Sequence, residues 1–203
     1  MHVKSVTFAG AIGQLGQAAP EPVMELPKLA IVGRSNVGKS SLINRLLGRT
    51  RTPIARVSQS PGKTQEINFY HVLANPVDFC LVDLPGYGFA RVPQKLKERW
   101  RPLISSYLEG EAGPEGVVQL VDVRHGPTKE DLQSIDYLAT LGLPVLFVLT
   151  KADKLTNTQL RQALAKIPQQ LGVDRDHVLP VSALDGRGMD DLLASIEALL
   201  TAE

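Results

Sequence analysis

The sequence predicts an α/β domain: a mostly parallel sheet with helices on both faces. From Lys28 onward, apolar runs of strand length alternate with segments of helical period, and polar Gly/Pro turns separate them. The chain has 203 residues, of which 43% are hydrophobic, enough for one domain with a real core. In such a sheet, ligands bind outside the carboxyl ends of the strands.

The elements follow in order. The first 27 residues carry no strong pattern and are expected to form an extension, residues 1–27, packed on a domain spanning 28–203. Lys28–Val32 reads as a strand leading into a Gly-rich turn. Lys39–Leu47 reads as a helix ending at Gly48. Arg49 to Gln65, with Pro53, Pro61 and Gly62, breaks regular structure. Glu66–Leu73 and Val77–Asp83 read as strands joined by the turn ANPV, an antiparallel hairpin at the sheet edge. Pro93–Leu108 is a helix, Gly116–Val123 a buried strand and Thr128–Thr140 a helix. Val145–Thr150, Thr156–Leu171, His177–Val181 and Met189–Leu200 continue as strand, helix, short strand and helix.

Composition narrows the function classes. No apolar run approaches the ~20 residues of a membrane span, and the N-terminus is too weakly apolar and basic for a signal peptide. Neither a C-terminal Cys motif nor an N-terminal Met-Gly suggests a lipid anchor. A single cysteine, Cys80, lies in the apolar run DFCLVD and reads as a buried small hydrophobe. A cytoplasmic protein without membrane or DNA partners, and a monomer, is expected. The net charge of +1 conceals a split: residues 1–101 carry 14 Lys/Arg against 6 Asp/Glu, and residues 102–203 carry 8 against 15. From Lys28 to Gln65 there are eight basic residues and no acidic one. A solvated surface would explain this; so would a face that seeks phosphate.

Four motifs carry chemistry. Gly33-Arg34-Ser35-Asn36-Val37-Gly38-Lys39-Ser40, followed by Ser41, is a G-x-x-x-x-G-K-S loop between a strand and a helix. Its backbone N–H groups and the helix N-terminus suit phosphates. Lys39 should bridge the β- and γ-phosphates, and the Ser40 hydroxyl should bind Mg²⁺. Asp83-Leu84-Pro85-Gly86 ends a strand: Asp83 can hold Mg²⁺ through a water, and the Gly86 N–H can touch a γ-phosphate. Thr150-Lys151-Ala152-Asp153 follows a buried strand. The Asp153 carboxylate can accept both guanine N–H donors, which adenine lacks, and the Lys151 stem would lie over the base. The usual motif begins with Asn, so Thr150 braces the phosphate loop with fewer hydrogen bonds. Ser182-Ala183-Leu184 follows the last strand, where the Ala183 N–H can reach guanine O6.

In this order the motifs resemble P-loop GTPases related to translation factors. SQSPGKTQEINFY followed by DLPGYGFARVP is similar to the EngB-type ribosome-biogenesis GTPases, relatives of Era and EngA. The resemblance implies a three-layer P-loop GTPase (Ras-like) domain with a mostly parallel six-stranded sheet and one antiparallel edge strand. It implies GTP and GDP as ligands, Mg²⁺, slow GTP hydrolysis, and a switch acting on the large ribosomal subunit or its precursor, rRNA and proteins together, needed for normal growth and division. It makes Thr64 the threonine that completes Mg²⁺ coordination and meets the γ-phosphate, within Pro61-Gly62-Lys63-Thr64. The segments 49–65 and 84–101, both surplus in positive charge, would then be ordered by the nucleotide.

A glutamine often follows D-x-x-G and orients the attacking water. Here Tyr87 stands there, a phenol with no amide, in a glycine loop that should let its ring swing away. It is not expected to position water. Asn36 is the alternative resource, since similar GTPases with Asn here include K⁺-stimulated members. A K⁺ beside the phosphates would offset transition-state charge. Lys39, Thr64, Gly86 and Asn36 are thus the candidate catalytic residues. Two other classes remain open: a signalling switch with protein effectors, and a metabolite phosphotransferase, which the guanine motif disfavours.

Overall fold

The computed structural model describes residues 1–55, 66–87 and 94–201, with the backbone alone for 94–101. Seven strands form one sheet: β1 (His2–Ile12), β2 (Lys28–Gly33), β3 (Ile67–Asn75), β4 (Phe79–Asp83), β5 (Gly116–Asp122), β6 (Val145–Thr150) and β7 (Val178–Pro180). Their spatial order is β1-β3-β4-β2-β5-β6-β7. Only β3 runs against its neighbours, pairing antiparallel with β1 and with β4. The helices are α1 (Lys39–Leu46), α2 (Gln94–Glu109), α3 (Lys129–Thr140), α4 (Asn157–Leu171) and α5 (Met189–Thr201).

The sheet therefore has seven strands, not six, and its one reversed strand, β3, lies inside the edge that β1 forms. The seventh strand comes from the stretch that carried no pattern. Of its side chains only Val6 and Ile12 are buried, the rest being exposed or half-buried, so no apolar alternation marks it. Backbone pairing to β3 holds it, with two register shifts along its length.

The parallel strands are largely apolar because both faces are covered. On β2, Leu29 and Ile31 point into one core with Leu42, Ile43 and Leu46 of α1 and Leu192 and Ile196 of α5. Ala30 and Val32 point the other way, among Leu103, Tyr107 and Leu108 of α2 and Leu138 of α3. Val121 of β5, Phe147 and Leu149 of β6 and Val178 of β7 meet Leu164, Ile167 and Leu171 of α4. Helix starts are set by side-chain caps. Thr128 with Asp131, and Thr156 with Gln159, form reciprocal capping boxes on α3 and α4. Among the described residues, no helix is long and apolar enough to cross a membrane.

Candidate functional site

The carboxyl ends of β2, β4, β5 and β6 meet around the loop from Gly33 to Lys39. The loop turns sharply at Gly38, whose φ of 106° a side chain would strain, and α1 begins at the next residue. Asn36 adopts φ 61°, a left-handed conformation that asparagine tolerates better than most residues. Lys39 and Ser40 open the first turn of α1, and Ser41 follows.

Lys39 Nζ pairs with Asp83 Oδ1 at the end of β4, both side chains being largely buried. Two of the predicted phosphate and metal groups are therefore in direct contact. Leu84, Pro85 and Gly86 continue from Asp83 onto the loop. A Cβ on Gly86 would stand 3.3 Å from Gly33 O and 3.4 Å from Ser35 N, so backbone lies against backbone there. Arg34 takes part in a bridge with Tyr87, in which Ser35 N–H donates to Tyr87 O (2.9 Å) and Tyr87 N–H to Gly33 O (3.3 Å).

The Tyr87 ring is fixed rather than loose. Its hydroxyl donates to Asp131 Oδ1 (2.7 Å) and accepts from Gln119 Nε2 (2.6 Å). Burial beside the Asp131 carboxylate pushes the phenol pKa well up, so it stays neutral.

The β6 end braces the loop from the opposite side. Thr150 Oγ1 donates to Val37 O at 2.6 Å. Lys151 Nζ donates to Asn36 O (2.7 Å) and to Asp122 Oδ2 (2.8 Å). Asp122, buried at the end of β5, also accepts from Arg124 Nε (2.9 Å) and from a terminal guanidinium nitrogen (2.7 Å). Burial alone would raise its pKa. The bonds from Arg124 and Lys151 outweigh that and hold it well below the usual carboxylate range.

Asp153 Oδ1 accepts from the Ser182 hydroxyl (2.8 Å), and Oδ2 lies 3.3 Å from Lys154 Nζ. Burial opposes ionisation here too, and the bonds from Ser182 and Lys154 prevail, lowering the pKa. Ser182 Oγ in turn accepts from the Leu184 and Asp185 N–H groups, both at 3.2 Å. The Ser182-Ala183-Leu184 turn is thereby folded around the Asp153 carboxylate, with Leu184 well exposed.

The structure thus brings the phosphate loop, Asp83 to Gly86, Thr150 to Asp153 and Ser182 to Leu184 to one end of the sheet. Pro61, Gly62, Lys63 and Thr64 lie outside the described residues. Sequence reasoning missed Asp122, Gln119, Asp131 and Asn44. Each is a polar side chain at a buried position, and for the two in β5 the signal was a polar residue within the apolar run GVVQLVD.

A family model described as "50S ribosome-binding GTPase" matches residues 28–151, and one described as "Elongation factor Tu GTP binding domain" matches residues 104–202. A probable GTP-binding protein EngB from Gemmatimonas aurantiaca is 44% identical over 200 residues, covering 98% of this chain and 95% of that one. Another, from Trichlorobacter lovleyi, is 40% identical, covering 97% and 96%. A crystal structure of a probable GTP-binding protein EngB superposes with a TM-score of 0.69 at 25% identity, over 87% of this chain and 100% of that one. Era in complex with MgGDPNP and a segment of 16S ribosomal RNA superposes with a TM-score of 0.70 at 26% identity, over 85% of this chain and 56% of that one. Near-full-length identity at this level, together with the family model matched over residues 28–151, places the chain in the EngB family of GTP-binding P-loop GTPases.

Proposed function

We propose that this GTPase is a switch in assembly of the large ribosomal subunit, binding the subunit or its precursor in one nucleotide state and leaving in the other. The observation that carries the reading is the coincidence of charge and site. The unopposed basic stretch from Lys28 to Gln65 contains the phosphate loop and the segment leading to Thr64. Arg45 is half-buried, with its guanidinium against Gly186, and Arg49 donates to Val6 O at 3.2 Å. Arg51 is exposed, where it can meet a phosphate backbone. The match to a family described as 50S ribosome-binding GTPases supports the same reading, and the likeness to an Era bound to 16S ribosomal RNA supports the RNA contact alone. With γ-phosphate contacts ordering residues beside those cations, nucleotide state would govern RNA contact.

Within the site, Lys39 would bind the β- and γ-phosphates, and the Gly86 N–H would meet the γ-phosphate. Thr64 would close over it. Asp153 would take the guanine N1–H and N2–H, the Ala183 N–H would take O6, and Leu184 would flank the base. The donor set fits Mg²⁺: a Ser40 hydroxyl and the buried Asp83 carboxylate are hard oxygen groups, and Mg²⁺ takes few protein ligands beside substrate oxygens. Among the described residues no cluster of three His, Cys, Asp or Glu side chains offers a cage for a softer metal. When bound, Mg²⁺ neutralises charge between the β- and γ-oxygens. Asn36 would contribute its side-chain carbonyl to a K⁺ beside the phosphates.

Co-sedimentation with purified large subunits across a KCl titration tests the reading. The wild type with a non-hydrolysable GTP analogue should bind and lose binding with salt. An Arg51→Glu, Arg56→Glu, Lys63→Glu variant should bind weakly with a flatter salt slope and keep its nucleotide affinity. Equal binding by both proteins would refute it and favour protein effectors. In the same experiment, single-turnover hydrolysis should run faster in KCl than in NaCl. Asn36→Gly, which preserves the left-handed backbone, should lose that advantage; no cation difference in the wild type removes K⁺ from the site.

A further inference from the structure

We infer that Tyr87 is a positioning residue: its phenol, anchored on Asp131 and Gln119, holds Gly86 in place to receive a γ-phosphate and so sets the preference for GTP over GDP. The inference rests on the proposed role of Gly86 as the γ-phosphate contact.

The first ground is mechanical. Gly86 and Tyr87 lie on the phosphate loop with no slack: the two bridge bonds between Tyr87 and the Gly33–Ser35 backbone are 2.9 and 3.3 Å long. The position of the Gly86 N–H is therefore dictated by where Tyr87 is held.

The second is how Tyr87 is held. One side of its ring lines a cavity of about 540 Å³ between α2 and α3, shared with Ile104, Ser134 and Tyr137. Packing alone does not fix a ring that borders open space. The hydroxyl does, through Gln119 on β5 and Asp131 on α3. Both partners are buried and committed elsewhere. Asp131 Oδ2 accepts from the Thr128 N–H (2.8 Å) and hydroxyl (2.9 Å), and Gln119 Oε1 accepts from the Ser134 hydroxyl (3.3 Å). Such a saturated network has one low-energy arrangement.

The third is what GDP lacks. Phosphate-loop and guanine contacts serve both nucleotides alike, whereas a γ-phosphate contact serves GTP alone. Pre-ordering Gly86 thus strengthens GTP binding selectively, because the apparent affinity scales with the fraction of molecules already competent.

The experiment compares Tyr87→Phe with the wild type, measuring mant-GTP and mant-GDP affinities, single-turnover hydrolysis and Tm. Tyr87→Phe should weaken GTP binding about fivefold relative to GDP, the fold-change of one ordinary hydrogen bond. The rate at saturating GTP should fall by less than about twofold, so that affinity and turnover separate. Thr156→Ala, which removes the α4 cap and touches neither Tyr87 nor its two partners, is the control for lost stability. It should lower Tm without moving the GTP-to-GDP ratio. Asp131→Asn, which keeps an acceptor, should retain most of the ratio, and Asp131→Ala should lose it. An unchanged ratio in Tyr87→Phe, or an equal shift in Thr156→Ala, overturns the inference. Gly86→Ala separates the two readings. If it keeps the GTP preference, the γ-phosphate role of Gly86 falls. If it loses the preference while Tyr87→Phe does not, only the anchoring role falls.

Discussion

Asn44, a polar residue inside α1, ties the helix after the phosphate loop to the chain that leaves it. Its Nδ2 donates to Ala55 O (2.8 Å), and its Oδ1 accepts from the Ile54 and Ala55 N–H groups, both at 2.9 Å. Ala55 is fully buried and Asn44 nearly so. Asn44→Ala would leave three backbone groups without their partner. At about 1 kcal/mol net for each bond, and more where water cannot enter, the loss is ~3 kcal/mol, within a range of about 2–5. For a domain of this size, ~1 kcal/mol moves Tm by about 2–4 °C, so a drop of roughly 6–12 °C is expected. Circular dichroism melts of the nucleotide-free protein would read it. Because the loss lies at the start of the polar segment, trypsin should also cut faster after Arg51. Asn44→Asp distinguishes the bonds: it keeps both acceptors but sets a carboxylate against Ala55 O, and should be no better than alanine. A Tm within ~2 °C of wild type for Asn44→Ala would refute this account of the segment.

Two further outcomes follow from the carboxylates of the site. Asp122 has a folded pKa below its unfolded value of about 3.9. Its contribution to stability is full above that pH and lost as pH falls toward the folded value. Asp122→Asn should therefore lower Tm near pH 7 and flatten the decline below about pH 4; parallel Tm curves for the two proteins would show that the Arg124 and Lys151 pairs add nothing. Asp153→Asn replaces the acceptor for guanine's donors by an amide suited to xanthine. Calorimetry should show GTP affinity down at least ~100-fold and XTP binding gained, and an unchanged GTP affinity would remove Asp153 from base recognition.

What was legible in the sequence follows from where each element's partners lie. Strands β2 and β5, buried on both faces, read as largely apolar runs, and the helix starts read at Thr128 and Thr156 fall on the caps one residue ahead of α3 and α4. The loop of Gly33 to Ser40 between a strand and a helix, and Thr150 to Asp153 at a strand end, were legible because local spacing makes them. By contrast, β1 owes its place to backbone pairing with β3, a partner more than 50 residues away that leaves no periodicity in its side chains. Asn44, Gln119, Asp122 and Asp131 are a different case. Each is conspicuous as a polar residue where the core should be, yet its meaning lies in a partner from another element. Gln119 and Asp131 explain Tyr87 only once β5 and α3 flank it.

Those distant partners converge on one task, which accounts for how a threonine can stand where asparagine is usual. Within the phosphate loop, Gly33 O accepts from Tyr87, Arg34 O from Val37 N–H, and Gly38 O from Leu42 N–H. Asn36 O accepts from Lys151 and Val37 O from Thr150. Five loop carbonyls are thus held by protein donors, which fixes the peptide planes and with them the directions of the N–H groups on the opposite edges. Oriented N–H groups are what binds an anion in such a concavity. An asparagine at the start of the guanine motif would offer several hydrogen bonds to this bracing; Thr150 offers one strong bond, at 2.6 Å, to a buried carbonyl. The difference is made up from either side, by Lys151 anchored on Asp122 and by Tyr87 anchored on Asp131. The loop's rigidity is therefore distributed over three strand ends, and the departure at Thr150 and the tyrosine after the sensor glycine belong to the same arrangement.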